Sequence, residues 1–245
     1  MKFSTPLLKG QFIRRYKRFF VDVLLDNGIE VVCHSPNTGS MRGLLVEGVD
    51  AWVTPHNDPK RKLQYTVEIL GTSQGGTVGV NTMRPNKIVS EAITAGEIPE
   101  LMGYANLKNE VKYGTEGKSR IDIFLSDDAK PDCYVEVKNV TLREDVDGPN
   151  QIKIPTAQFP DSVSTRGQKH LRELADVVAD GKRGVMIFLC QRDDCAEFRP
   201  ATHIDPDYAA ILAKVIANGV EAFCYACTVT PEGVTISKQI PINID

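Results

Sequence analysis

Short runs of alternating or continuous apolar residues, each closed by a turn former, fill the chain from Met1 to Thr82. Ile29–Cys33, Val49–Thr54, Leu63–Leu70 and Thr77–Val80 are rich in β-branched residues, and Asn27-Gly28, Gly48 and Gly75-Gly76 punctuate them. About five short strands in this length predict a small barrel or sandwich. The period then changes. Ile88, Val89, Ala92 and Ile93 recur at helical spacing between Pro85 and Gly96, with Asn86 as the expected cap and Gly96 as the stop. Strand patterns follow at Leu107–Tyr113, Arg120–Leu125 and Cys133–Leu142, then an aperiodic stretch, Arg143–Pro160, that reads as a long loop. Thr165–Ala179 predicts an amphipathic helix, Gly184–Cys190 a buried strand, Pro206–Ala217 a further helix and Val220–Val229 a last strand. The expected organisation is a β-barrel domain over 1–82 and an α/β domain over 83–245 with the order α-β-β-β-α-β and an α-β extension.

Composition narrows the class. The chain has 245 residues, 42% hydrophobic and 25% charged, without a low-complexity tract. Its longest apolar run, Val185–Cys190, is far short of the ~20 residues that span a bilayer, and the N-terminus lacks a signal-peptide stretch. A cytoplasmic protein without a membrane partner is expected. Cys224 and Cys227 form a C-x-x-C, but residues three apart in a strand face opposite ways. Zinc is therefore not expected, and the six cysteines read as reduced core residues. Net charge is −3, unevenly spread: residues 1–82 hold 10 Lys and Arg against 7 Asp and Glu, and the remainder 19 against 25. A basic front and an acidic back fit a part that holds nucleic acid joined to a carboxylate-rich part, or an ordinary fluctuation of surface charge.

The candidate chemistry lies in one hairpin. Asp122 alternates with Ile121, Ile123 and Leu125, and Glu136 and Lys138 alternate with Val135 and Val137. A turn over Ser126–Asp132 is centred on residue 129, so Asp122 is expected opposite Glu136, with Cβ atoms about 5 Å apart. Two carboxylates so close call for a cation, and hard oxygen ligands suit Mg²⁺ or Mn²⁺, with Glu91 on the preceding helix as a third carboxylate. Such an ion can activate water and neutralise charge at phosphorus during phosphodiester hydrolysis, and Lys138 could orient that water or stabilise the developing charge. The alternative is an ion-pair network on a sheet face.

Cationic segments accompany it. Arg166, Lys169, His170 and Glu173 share a helix face, and cations in a first turn oppose the helix dipole, which favours an anionic partner over a merely solvated face. Ile13–Phe20 interleaves Arg14, Arg15, Lys17 and Arg18 with aromatics, as a nucleic-acid face does and as an amphipathic strand with snorkelling cations also does. The loop Ser35-Pro-Asn-Thr-Gly-Ser-Met41, with Asn37 and Ser40, is either a phosphate cradle or a tight connection.

The same segments resemble the sugar fermentation stimulation protein A (SfsA) family. The resemblance runs through Leu8–Phe19, Ser35–Met41, Gly79–Thr82, Ile98–Leu101, Ser119–Asp122, Tyr134–Leu142, Phe159–Leu174 and Phe188–Arg192, nearly the whole chain in order. It implies an N-terminal OB-fold domain and a PD-(D/E)XK nuclease-like domain. On that pattern Asp122, Glu136 and Lys138 are the catalytic trio, and Asp122, Glu136 and Glu91 the metal ligands. Arg14, Arg15, Lys17, Arg18, Asn37, Ser40, Arg166, Lys169 and His170 are then the expected DNA contacts. Ile121 stands where the motif has its proline. The resemblance also implies DNA (or RNA) binding with little sequence preference and a part in sugar (maltose) metabolism.

Overall fold

A computed structural model of the chain describes residues 1–114 and 119–244. The first unit is built from β1 (Leu8–Tyr16), β2 (Phe20–Leu25), β3 (Glu30–His34), β4 (Asp50–Pro55), β5 (Tyr65–Gly71) and β6 (Thr77–Gly79). Antiparallel pairs β1–β2, β2–β3, β1–β4 and β4–β5, with a parallel β3–β5 contact, close five strands into a barrel, and β6 extends it beside β5. Alternation drives the closure: Phe12, Val21, Val23, Val31, Cys33, Val53 and Val67 all point into one core.

The second unit follows. Its elements are α1 (Pro85–Ala95), β7 (Asn106–Tyr113), β8 (Ser119–Asp127), β9 (Lys130–Val140), β10 (Leu142–Asp147), β11 (Lys153–Phe159), α2 (Thr165–Ala179), β12 (Arg183–Cys190), β13 (Glu197–Pro200), α3 (Pro206–Ala217), β14 (Glu221–Thr230) and β15 (Gly233–Ile240). A six-stranded mixed sheet in the order β15-β14-β12-β9-β8-β7 separates two cores. Ile88, Val89 and Ile93 of α1 pack with Val135, Val137 and Ile187 on one face. Leu171 and Leu174 of α2 and Tyr208 and Leu212 of α3 pack with Met186, Phe188 and Cys224 on the other. Buried Asp205 locks the two helices together. It caps α3 through Tyr208 N (2.9 Å) and accepts from Ser164 N and Gln168 Nε2 at the start of α2.

The barrel followed by an α/β domain is the expected architecture, and α2 and α3 have the predicted bounds. The stretch Arg143–Pro160 is different: it holds β10 and β11, an antiparallel hairpin that pairs on with β13 to form a separate sheet, order β10-β11-β13. Its strands are short and half exposed, so no period marks them. The loop reading is corrected. Asn86 does not cap α1 either; the cap is Arg84, with Pro85 at the first helical position, which frees the Asn86 side chain. Gly96 ends α1 in the left-handed conformation, as predicted.

The cysteines are all free and buried, and Cys224 and Cys227 face opposite cores. No helix among the described residues is long and apolar enough to cross a membrane. The units meet through buried polar contacts. Glu68 of β5 accepts from Thr54 Oγ1, Asn81 Nδ2 and both Arg84 Nε and Nη2, and Gly79 N donates to Gln191 O at 2.9 Å. Met1 and Lys2 return to the second unit, where the terminal ammonium donates to Val234 O (2.7 Å) and Lys2 bridges Gly233.

Candidate active site

β8 and β9 form the predicted hairpin with Ile123↔Val135, Phe124↔Tyr134 and Leu125↔Cys133, the register centred on residue 129 that sets Asp122 toward Glu136. The strands run further than the sequence indicates, to Asp127 and Lys130, so the turn is short. One detail departs from simple alternation. Ile123 and Leu125 pack in the α1-side core, but Ile121 packs in the α2-side core. The strand changes face at Asp122, opposite Glu110, whose φ is +57°. A non-glycine residue held there stores local strain of the order of 1–3 kcal/mol, and the twist presents Asp122 at the end of the β8–β9 ladder.

There the Asp122 carboxylate takes over the work of a strand. Its Oδ2 accepts from Val137 N at 2.7 Å and its Oδ1 from Asn86 Nδ2 at 2.8 Å. Burial and the negative charge of Glu136 push its pKa up to about 6, against the pull of these two donors and Lys138. Glu136 is itself 2% exposed. Burial pushes its pKa up, but Lys138 and His170 more than reverse this and hold it below the ordinary value. Lys138 Nζ lies 2.6 Å from Glu136 Oε1, and His170 Nδ1 bonds the same oxygen. Arg166 Nε donates to His170 Nε2 at 3.3 Å, which leaves the ring proton on Nδ1, aimed at Glu136. The second oxygen, Glu136 Oε2, is buried without a partner among the described residues. An orphan anionic oxygen beside a second, destabilised carboxylate is the donor set a hard divalent cation completes.

The structure therefore brings Asp122, Glu136 and Lys138 together, and adds His170 and Arg166 from α2. Glu91 lies apart from this group: its carboxylate meets the Met1 ammonium (3.2 Å) and Lys87 (3.6 Å). The α1 side chain that reaches Asp122 is Asn86, nearer the start of the helix. Among the described residues no group of three or more His, Cys, Asp or Glu is arranged to hold a metal; the carboxylate pair stands alone. Lys169 Nζ contacts Ser119 Oγ (3.0 Å) and Glu173 (3.3 Å), beside Tyr113, whose hydroxyl is buried without a partner among the described residues. The sequence pattern marks Asn86 only as a helix cap and does not mark Tyr113, because each reaches the site across tertiary contacts.

The other cationic segments are placed differently from the sequence reading. Ile13–Phe20 is neither one strand nor one face. Lys17 and Arg18, at φ +48° and +64°, form the tip of the β1–β2 hairpin, and Tyr16 stacks on Phe20. Arg14 pairs with Asp22 at 2.7 Å. Arg15 is an internal strut, donating to Arg18 O (2.9 Å), Asn37 O (2.8 Å) and Gly39 O (2.9 Å). The loop Ser35–Met41 does cradle an anion, and the anion belongs to the same chain: Asp161 accepts from Ser40 Oγ (3.1 Å) and Met41 N (3.3 Å). Asn37 Oδ1 is taken by Gly39 N. Lys17, Arg18, Arg166 and Lys169 remain exposed.

Comparisons with known proteins agree with the observed fold. Residues 13–80 match the SfsA N-terminal OB domain, and residues 83–233 match the sugar fermentation stimulation protein RE domain. Relatives called sugar fermentation stimulation protein homolog include one from Paramagnetospirillum magneticum, 46% identical over 244 residues, covering 100% of this chain and 98% of its own. Another, from Rhodospirillum centenum, is 47% identical over 243 residues, covering 99% and 100%. Among solved structures, Pyrococcus furiosus SfsA in complex with Ca²⁺ superposes with a TM-score of 0.84 at 26% identity, over 100% of this chain and 98% of that one. With both domains matched and full-length relatives at this level of identity, the chain belongs to the sugar fermentation stimulation protein (SfsA) family.

Proposed function

We propose that this protein is a Mg²⁺- or Mn²⁺-dependent hydrolase of nucleic-acid phosphodiester bonds, with DNA as its substrate class and little sequence preference. The observation that carries the reading is the orphan Glu136 Oε2 beside Asp122, whose pKa is pushed up to about 6. Asp122 and Glu136 would hold the ion, and Mg²⁺, which keeps several waters, needs only one or two carboxylates. When bound, such an ion activates water and neutralises charge at phosphorus. The related Pyrococcus furiosus SfsA was solved in complex with Ca²⁺, another hard cation with oxygen ligands. Lys138 is anchored by Glu136 and supplies donors for the attacking water or the developing charge. His170, fixed by Arg166, is a positioning residue that orients Glu136.

Lys17 and Arg18 at the hairpin tip and Arg166 and Lys169 on α2 are the groups proposed to meet the phosphate backbone, giving affinity that falls steeply with salt. An influence on sugar (maltose) metabolism would follow from action on nucleic acid. Incubation with single- and double-stranded DNA and RNA plus Mg²⁺ or Mn²⁺ tests the proposal. Cleavage is expected, reduced about 10²-fold or more in Asp122→Ala. No cleavage by the wild type, or equal cleavage by the variant, overturns it. One observation favours a second reading, a DNA-binding regulator that does not cut: Lys138 and His170 already share Glu136 Oε1. Salt-dependent binding without cleavage is its signature.

A further inference from the structure

A cavity of ≈ 300 Å³ lies where the loop Ser35–Met41 meets the ends of β9 and β11, lined among others by Asn37, Thr38, Asn139, Gln158, Phe159 and Asp161. It is distinct from the carboxylate pair: Asn139 follows Lys138 along β9, and alternation turns its side chain to the other side of the strand. Its polar lining is mostly uncharged. The one charged side chain, Asp161, is an anion already engaged by Ser40 and Met41, so a phosphate or carboxylate ligand is disfavoured.

Three amides give the cavity a defined hydrogen-bonding set. Asn37 Oδ1 accepts from Gly39 N, which leaves Nδ2 as a donor. Asn139 Oδ1 accepts from Gln191 Nε2 at 2.6 Å, which again leaves Nδ2. Gln158 is 6% exposed, and its Oε1 is buried with no partner among the described residues. A buried, unsatisfied amide oxygen costs about 1–3 kcal/mol, a cost that turning the Gln158 amide onto a donor bound in the cavity would remove. Phe159 adds an aromatic surface, held from behind by edge contact with Tyr208 at 5.2 Å.

Two amide donors, one unmet acceptor and an aromatic ring, in a cleft whose charged side chain is already engaged by Ser40 and Met41, match the edge and face of a heterocyclic base. The volume sits at the small end of ligand pockets, roughly 300–1,000 Å³, which suits one base and not an oligosaccharide. We propose that this interdomain cavity is a pocket for a single nucleobase, holding one base of a bound nucleic-acid strand. The proposal rests on the nucleic-acid reading above. It gives the Asn37–Gly39 loop a ligand of a different kind from the phosphate its composition suggests.

The test uses the full chain with Mg²⁺ replaced by Ca²⁺, and single-stranded oligonucleotides carrying 2-aminopurine at successive positions. Fluorescence anisotropy reports backbone binding, and 2-aminopurine emission reports a base removed from its stack. Thr38→Trp fills the cavity from an exposed position, and Gln158→Leu removes the acceptor; thermal melts check that both variants fold. The expected result is a several-fold emission change at one position on wild type, lost in Thr38→Trp, with backbone affinity changed less than threefold. Gln158→Leu weakens the emission change about tenfold. Wild-type anisotropy with no position-dependent emission change, or with the same change in Thr38→Trp, overturns the pocket and leaves the nucleic-acid reading standing. Absence of any oligonucleotide binding overturns both. Saturation transfer to maltose and not to thymidine or adenosine overturns the pocket in favour of a sugar site.

Discussion

Replacing Asp122 by Asn should stabilise the metal-free protein at neutral pH and remove its response to Mn²⁺. Burial and the charge of Glu136 raise the Asp122 carboxyl from 3.8 to about 6. A group raised in this way binds its proton more tightly in the folded state than in the unfolded chain. Its contribution is therefore fully present below about pH 4 and lost as pH rises through about 6. Two units at ~1.4 kcal/mol each correspond to about 3 kcal/mol given up at neutral pH. Asn keeps an oxygen for Val137 N but loses the acceptor for Asn86, a loss of ~1 kcal/mol. The net gain is about 2 kcal/mol, or roughly 4–8 °C in Tm for a chain of this size. Melting or denaturant curves in chelator from pH 4 to 8 should show a difference between variant and wild type that opens between about pH 4 and 6 and is flat above. Mn²⁺ at ~100 Kd should then stabilise wild type by about 2.7 kcal/mol and leave the variant unmoved. A variant less stable than wild type at pH 8, or a difference that does not change with pH, would show that Asp122 does not carry a raised pKa in the folded protein.

Three further substitutions probe the surrounding framework. Glu91→Ala should leave metal-dependent cleavage unchanged and cost at most ~1 kcal/mol, since its partners are the Met1 ammonium and Lys87; a loss of cleavage like that of Asp122→Ala would return Glu91 to the site. Arg15→Ala removes the strut between the β1–β2 hairpin and the Ser35–Met41 loop, and should cost about 1–3 kcal/mol and open residues 35–41 to limited proteolysis. Glu68→Ala leaves Thr54, Asn81 and Arg84 without their shared acceptor where the units meet, and a loss of about 3–5 kcal/mol in denaturant unfolding is expected.

Much of this site is legible in the sequence because it depends on local rules. The hairpin register follows from a turn centred on residue 129, and side-chain alternation places Glu136 and Lys138 on one face. Helices α2 and α3 are readable because Ser164 and Asp205 cap them at the predicted starts. What pattern reading misplaces depends on long-range geometry. Ile121 obeys alternation in the sequence but lands in the opposite core, because the strand twists at Asp122 against Glu110. Asn86 reads as a cap, yet Pro85 sits at the first helical position and the freed amide reaches Asp122, while Glu91 turns to the chain's own N-terminus. The phosphate-cradle reading of Ser35–Met41 has the right chemistry and the wrong anion, since Asp161 arrives from 120 residues away. Arg143–Pro160 hides two strands because both are short and half exposed, and because β13, which pairs with β11 alone, is supplied much later in the chain.

Anomalous scattering from a crystal of the protein soaked in Mn²⁺ locates the ion itself. A peak is expected between the Asp122 and Glu136 carboxylates, at the roughly 2.0–2.3 Å ligand distances of a small hard cation, and its loss in Glu136→Gln. A Mn²⁺ concentration that supports cleavage but leaves no peak at this pair, or a peak that survives in Glu136→Gln, would contradict this assignment.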